Sequence, residues 1–201
     1  MSTISASTTT TTAYQVSADT TGALVFQTGA TPTTALTIDT GQRSKFPTTI
    51  GVGGATPSTS GSGISFPATQ SASSDANTLD DYEEGTFTPT ATSSTGNLTS
   101  YTSAGTYVKI GKIVSVNGWI QLATVGTAGG ALNFGGLPFT ALSASPNRPS
   151  MAVVREDANT GIIYGGFIDR GTTNGTISTL TNTAIVWLTT YRYAFNFVYE
   201  V

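Results

Sequence analysis

Apolar and polar side chains alternate with a period of two in two long stretches of this chain. Val114, Val116, Ile120 and Leu122 share one parity while Ser115, Asn117 and Gln121 share the other, the signature of a strand with one buried face. Tyr191, Tyr193, Phe195, Phe197, Tyr199 and Val201 alternate in the same way against Arg192, Ala194, Asn196 and Glu200, and this is the clearest strand in the sequence. Between the two lie Ala131-Leu132-Asn133-Phe134, Met151-Ala152-Val153-Val154, Ile162-Ile163-Tyr164 and Gly166-Phe167-Ile168, each bounded by Gly, Asn, Asp or Pro. Many short strands separated by turn residues predict an antiparallel β-sandwich, jelly-roll-like, over residues 86–201, large enough for its own core. Asn117-Gly118 is a strong hairpin signal, and Lys109-Ile110-Gly111-Lys112 is a second place to reverse the chain. The turn is placed at Gly111-Lys112, with one long strand running through Gly118 and a kink or bulge there.

The front half is thinner. Leu24-Val25-Phe26 and Ala35-Leu36-Thr37-Ile38 are short apolar runs separated by Gly29-Ala30-Thr31-Pro32-Thr33-Thr34, which predicts a hairpin or sharp turn. A weaker unit follows through Gly51-Val52-Gly53-Gly54 and Pro57 to Ile64-Ser65-Phe66-Pro67. Leu24, Val25, Phe26, Leu36, Ile38 and Phe46 are the bulky apolar residues between Gly22 and Phe46. Burying so few does not offset the conformational entropy of ordering that stretch of backbone. Several copies wound together would bury the same residues against one another. The expected organisation is a Thr/Ser-rich tail over residues 1–21, an extended β stem over 22–74, an acidic joint over 75–85 and the sandwich head over 86–201. The tail cannot build a core and stays mobile unless docked on another surface.

Composition narrows the function. Only 9% of the 201 residues are charged and the net charge is -3, so no basic stripe exists to neutralise a phosphate backbone, and nucleic acid is not an expected partner. The chain has no cysteine and no histidine. That removes disulfides, thiolate and imidazole metal sites, and the Ser-His and Cys-His nucleophile pairs. No apolar run has signal-peptide form, and the longest uncharged run, from Ile113 to Asn147, is broken by glycines and Pro138, so no membrane insertion is expected.

Asp80, Asp81, Glu83 and Glu84 place four of the 11 acidic residues within five positions. The string Leu79-Asp80-Asp81-Tyr82-Glu83-Glu84-Gly85-Thr86-Phe87-Thr88-Pro89 resembles a joint in tail-fibre-like and head-fibre virion proteins of tailed bacteriophages, particularly those of marine and cyanobacterial hosts. Gly105-Thr106-Tyr107-Val108-Lys109-Ile110-Gly111 is similar to a second segment of those proteins, Phe134-Gly135-Gly136-Leu137-Pro138-Phe139 to a third, and Ala18 to Thr28 to their stem strands. From Asn147 onward no motif matches. The resemblance implies a homotrimer in the virion, made in the host cytoplasm, attached to a capsid or tail protein by its N-terminal segment and displaying the head for adhesion, with host surface polysaccharide as a candidate ligand. Alternatives are a capsid decoration or head fibre with no obligatory receptor, and a carbohydrate-binding module.

Each candidate site has a plainer reading beside it. The acidic cluster could hold a divalent cation, yet it lacks EF-hand spacing and could equally keep the neck soluble; three copies would then need spacing, counter-ions or Lys and Arg partners. Glycosidic cleavage needs two carboxylates held across a groove, and beyond this string only Glu156, Asp157 and Asp169 are plausible. No enzyme activity is expected, and no catalytic, cofactor or metal residue is assigned. Trp119, Trp187, Tyr191, Tyr193 and Tyr199 could stack on sugars, but aromatics within alternating strands are expected in the core or a trimer interface. Loop residues near Asn159, Gly161, Asn174 and Gly175 are better placed for contact. Asn97-Leu98-Thr99 and Asn174-Gly175-Thr176 match the glycosylation pattern only formally, without a secretory signal.

Overall fold

In a computed structural model, the described residues are 22–70, 73–75, 77–144, 150–156, 162–178 and 185–201, with only the backbone described for 150–156 and 162. The expected tail, Asp157, Asn159 and Gly161 lie outside them, as does the side chain of Glu156. The chain divides into two units, residues 1–67 and 68–201. All elements among the described residues are β-strands, with no helix.

In the first unit β1 (Leu24–Thr28) and β2 (Thr33–Ile38) form the expected hairpin, Phe26 opposite Leu36 and Leu24 opposite Ile38. β3 (Ser44–Lys45) adds to β2. Asp39 shapes that return: its carboxylate accepts the Gly41 and Arg43 amides at 2.8 and 3.1 Å and the Arg43 guanidinium at 2.8 Å. β4 (Ile50–Gly51) and β5 (Ile64–Ser65) pair in parallel. None of the described residues from Gly22 to Pro67 is buried. Val25, Phe26, Phe46, Val52 and Ile64 are exposed, while Leu24, Leu36 and Ile38 are half-buried.

The second unit is one nine-stranded antiparallel sheet. Its strands are β6 (Tyr82–Phe87), β7 (Thr90–Thr95), β8 (Ser100–Ile110), β9 (Ile113–Thr124), β10 (Gly129–Gly135), β11 (Ser150–Glu156), β12 (Ile162–Ile168), β13 (Gly175–Ser178) and β14 (Arg192–Glu200). They lie in the order β6-β8-β9-β14-β11-β12-β13-β10-β7. Phe134 on β10 packs its ring 5.7 Å from Phe195 and 6.1 Å from Phe197 on β14, although three strands separate β10 from β14 in the sheet. The sheet therefore folds back over its own apolar face, as in a β-sandwich. Thr88 and Pro89 join the two edge strands β6 and β7. Pro89 is fully buried there, and having no N–H it leaves no ladder donor unmet at the corner.

The two alternating stretches are where their periodicity put them. Val114, Val116, Ile120 and Leu122 are wholly buried, with Tyr193, Phe195, Phe197 and Tyr199 beside them. Gly111-Lys112 forms the β8–β9 turn, Ile110 opposite Ile113, with Gly111 at a φ of 55° that a glycine supplies at no steric cost. Three expectations are corrected. Gly118 is neither kinked nor bulged, for its register with β8 and β14 is unbroken. The runs Ile162–Tyr164 and Gly166–Ile168 are one strand, β12. Gly175 is not a loop residue but opens β13, buried.

Four strand glycines answer to aromatic rings. Gly85, Gly105, Gly118 and Gly175 lie directly opposite Tyr107, Phe87, Phe195 and Phe134. A Cβ at Gly118 would come within 2.6 Å of the Phe195 ring, and one at Gly175 within 2.5 Å of Phe134. Each ring lies over the bare backbone of its partner, filling the space a side chain would take. Gly118→Val is expected to lower stability by about 1–3 kcal/mol, read as a lower midpoint of thermal unfolding. Adding Phe195→Leu should recover part of that loss, because the clash is with the ring.

Candidate functional site

The acidic string is not a flexible linker from Tyr82 onward, since Tyr82–Phe87 is β6 and the expected joint boundary at Gly85 falls within it. Strand alternation sends its side chains to opposite faces. Asp81 faces inward and forms an ion pair with Lys109 of β8, the two side chains only 7% and 6% exposed. Glu83, on the same face, accepts a hydrogen bond from the Tyr107 hydroxyl. Glu84 faces outward and accepts from Tyr82 at 2.8 Å, while Asp80 accepts the Ser73 amide at 2.8 Å. The pairing register, Glu83 opposite Lys109 and Gly85 opposite Tyr107, brings the string Leu79–Pro89 and the segment Gly105–Gly111 together. Phe139 sits edge-on to Tyr107 with centroids 5.4 Å apart, and the Lys109 ammonium lies 5.4 Å from its ring centre.

The cluster closes through Tyr199, whose hydroxyl donates to the Phe139 carbonyl at 3.1 Å and accepts the Phe139 amide at 3.2 Å. A cavity of about 430 Å³ borders it, lined by Gln70, Asp81, Glu83, Lys109, Phe139 and Val201 among others. Lys109 is a lysine partner of the kind the acidic cluster was expected to need, and it comes from the same chain. Tyr107 and Lys109 alternate as Glu83 and Asp81 do; that shared parity was the available signal. Among the described residues no group of three Asp or Glu side chains could hold a metal ion.

The hydrogen bond to Glu83, with burial and the carboxylate's charge adding, pushes the Tyr107 phenol up to about 12. Burial foremost, opposed by the hydrogen bond from the Phe139 backbone and aided by the charge of Tyr107, takes Tyr199 to about 12 as well. Both groups hold their protons more tightly folded than unfolded, so their contribution is complete below the ordinary tyrosine value near 10. It is lost as pH climbs from there to about 12. Urea midpoints should therefore fall across that window, and Tyr107→Phe should flatten the fall.

A wider opening lies on the other face of the same strands. It is a groove of about 850 Å³ on β6, β8, β9 and β14. Thr86, Thr106, Asn117 and Asn196 form one register row across it; Ala104, Trp119 and Ala194 form the next. The small side chains of Ala104 and Ala194 leave the depression, and Trp119 with Arg192, its guanidinium 4.2 Å over the indole, stands beside them. Asn196 donates from Nδ2 to Oδ1 of Asn117. That bond uses the Asn196 amide as donor and the Asn117 oxygen as acceptor, so Asn117 Nδ2 and Asn196 Oδ1 remain on the groove lining as a neutral donor and acceptor of the kind hydroxyls take.

The other aromatics divide by whether they lie on β14 or before it. Tyr193 and Tyr199 are core, while Tyr191 and Trp187 pack against it partly buried, the latter donating from its indole to the Gly130 carbonyl at 2.9 Å. Asp169 and Asn174 bracket the β12–β13 turn, the Asp169 amide donating to the Asn174 carbonyl at 2.9 Å. Asn97 lies in the β7–β8 connection. The groove was missed because its row of Thr and Asn is unremarkable in sequence and becomes a site only through register. Comparisons of the chain with models of known protein families, with curated proteins and with solved structures find no match.

Proposed function

We propose that this protein is a structural and interaction protein of a tailed-phage virion. In this reading it is a homotrimeric fibre held on a capsid or tail protein by its N-terminal segment, with the sandwich displayed for adhesion to host surface polysaccharide. The observation that carries the trimeric stem is the absence of any buried residue among those described from Gly22 to Pro67, with Val25, Phe26 and Phe46 at the surface. A lone copy of such a stretch gains little from burial, and sister strands would cover those residues. The groove beside Trp119 supplies neutral donors and acceptors for hydroxyl-rich ligands, and three copies would raise residence time through effective concentration.

Light-scattering mass of the full chain tests the assembly. A value three times 20.6 kDa is expected, and a stable monomer would sink the stem. Deleting residues 1–21 should abolish attachment to particles; retention of full occupancy without them would remove the N-terminal docking. Infectivity that survives loss of the protein would move the reading to a capsid decoration.

A further inference from the structure

Beyond the groove, the outer face of β6, β8, β9 and β14 carries five apolar side chains grouped around Ser115. Tyr82 lies opposite Ile110 and Ile110 opposite Ile113; one row along, Val108 lies opposite Ser115 and Ser115 opposite Val198. These five apolar side chains are between 36% and 52% exposed. They stand on the side of the sheet away from Val114, Val116, Phe197 and Tyr199, so they contribute nothing to the core. Single exposed hydrophobics are ordinary, but five grouped across four strands make a patch of the size that is often functional on a protein surface.

We propose that this patch is where the heads of sister copies pack against one another. The inference rests on the trimeric reading above. Area selects the occupant: two register rows over four strands cover a footprint of only about 300 Å² at ordinary strand spacing. An independent partner needs about 800 Å² a side for a stable complex. A copy already tethered through its stem needs far less, because it is present at an effective concentration in the millimolar range. Charge fits the same occupant. Glu84 on β6 and Glu200 on β14 flank the patch, and Lys112 stands exposed at the turn between Ile110 and Ile113. Among the described residues neither Lys112 nor Glu200 is in an ion pair, so a rotated copy can set the Lys112 of one chain against the carboxylates of the next.

The chain has no native cysteine, which makes the test clean. Full-length Val198→Cys and, separately, Ile113→Cys would be treated with a short bis-maleimide, with Ala144→Cys as the control. Both patch variants should yield covalently linked chains, and their monofunctional maleimide labelling should be at least about tenfold slower than the control's until the protein is unfolded. Trimers of native mass in which the thiols introduced on β9 and β14 label as fast as the control and do not cross-link would overturn the inference and leave the fibre reading standing. A monomeric wild-type chain would overturn both. Should one variant fail to assemble, the other, on a different strand, decides alone.

Discussion

Lys109→Ala is expected to destabilise the second unit by about 3–5 kcal/mol, because it strands the Asp81 carboxylate inside the fold with its cation gone. For a unit of this size the thermal midpoint should drop by roughly 10–20 °C. The cost comes from isolating a charge and not from losing an attraction, so the partners must be tested together. Asp81→Leu with Lys109→Met replaces the pair by apolar groups of similar volume, and is expected to be close to neutral or even stabilising. A double variant as unstable as Lys109→Ala would mean that the ion pair sets the position of β6 in a way that apolar packing cannot.

Phe134→Ala should cost a similar amount, about 3–5 kcal/mol, for a different reason. The ring lies between the layers, 5.7 Å from Phe195, and over the backbone of Gly175. Removing it opens a void on both sides, and neither the stacked rings nor a glycine can grow to fill it. Phe134→Leu keeps most of the volume and should retain more of the stability. Calorimetric midpoints of the two variants check the order; equal losses would show that the ring is not the element joining the layers.

How much of this could be read in advance follows from the reach of each signal. β9 and β14 were legible because their alternation is local, as was the hairpin turn at Gly111-Lys112. Gly118 was misread since its reason for being glycine is Phe195, which only the β9–β14 register places opposite it. The acids of β6 suggested solvent or a cation for the same cause: Lys109 and Tyr107 lie on another strand. β13 begins with a glycine and spans only Gly175–Ser178, too brief for a period to emerge. The outer groove depends on four strands at once and had no signature in any one of them.

The place of β14 in the sheet has a consequence for how the molecule comes into being. β14 is wedged between β9 and β11, so without it the ladder is cut into two sets, β6-β8-β9 and the strands from β11 to β7. Until Arg192–Glu200 pairs, each set keeps an open flank of unmet backbone groups facing the other. Completion of this sheet is thus an all-at-once event that waits on one central, long-range strand, and the open flanks are the places most prone to clumping before it docks.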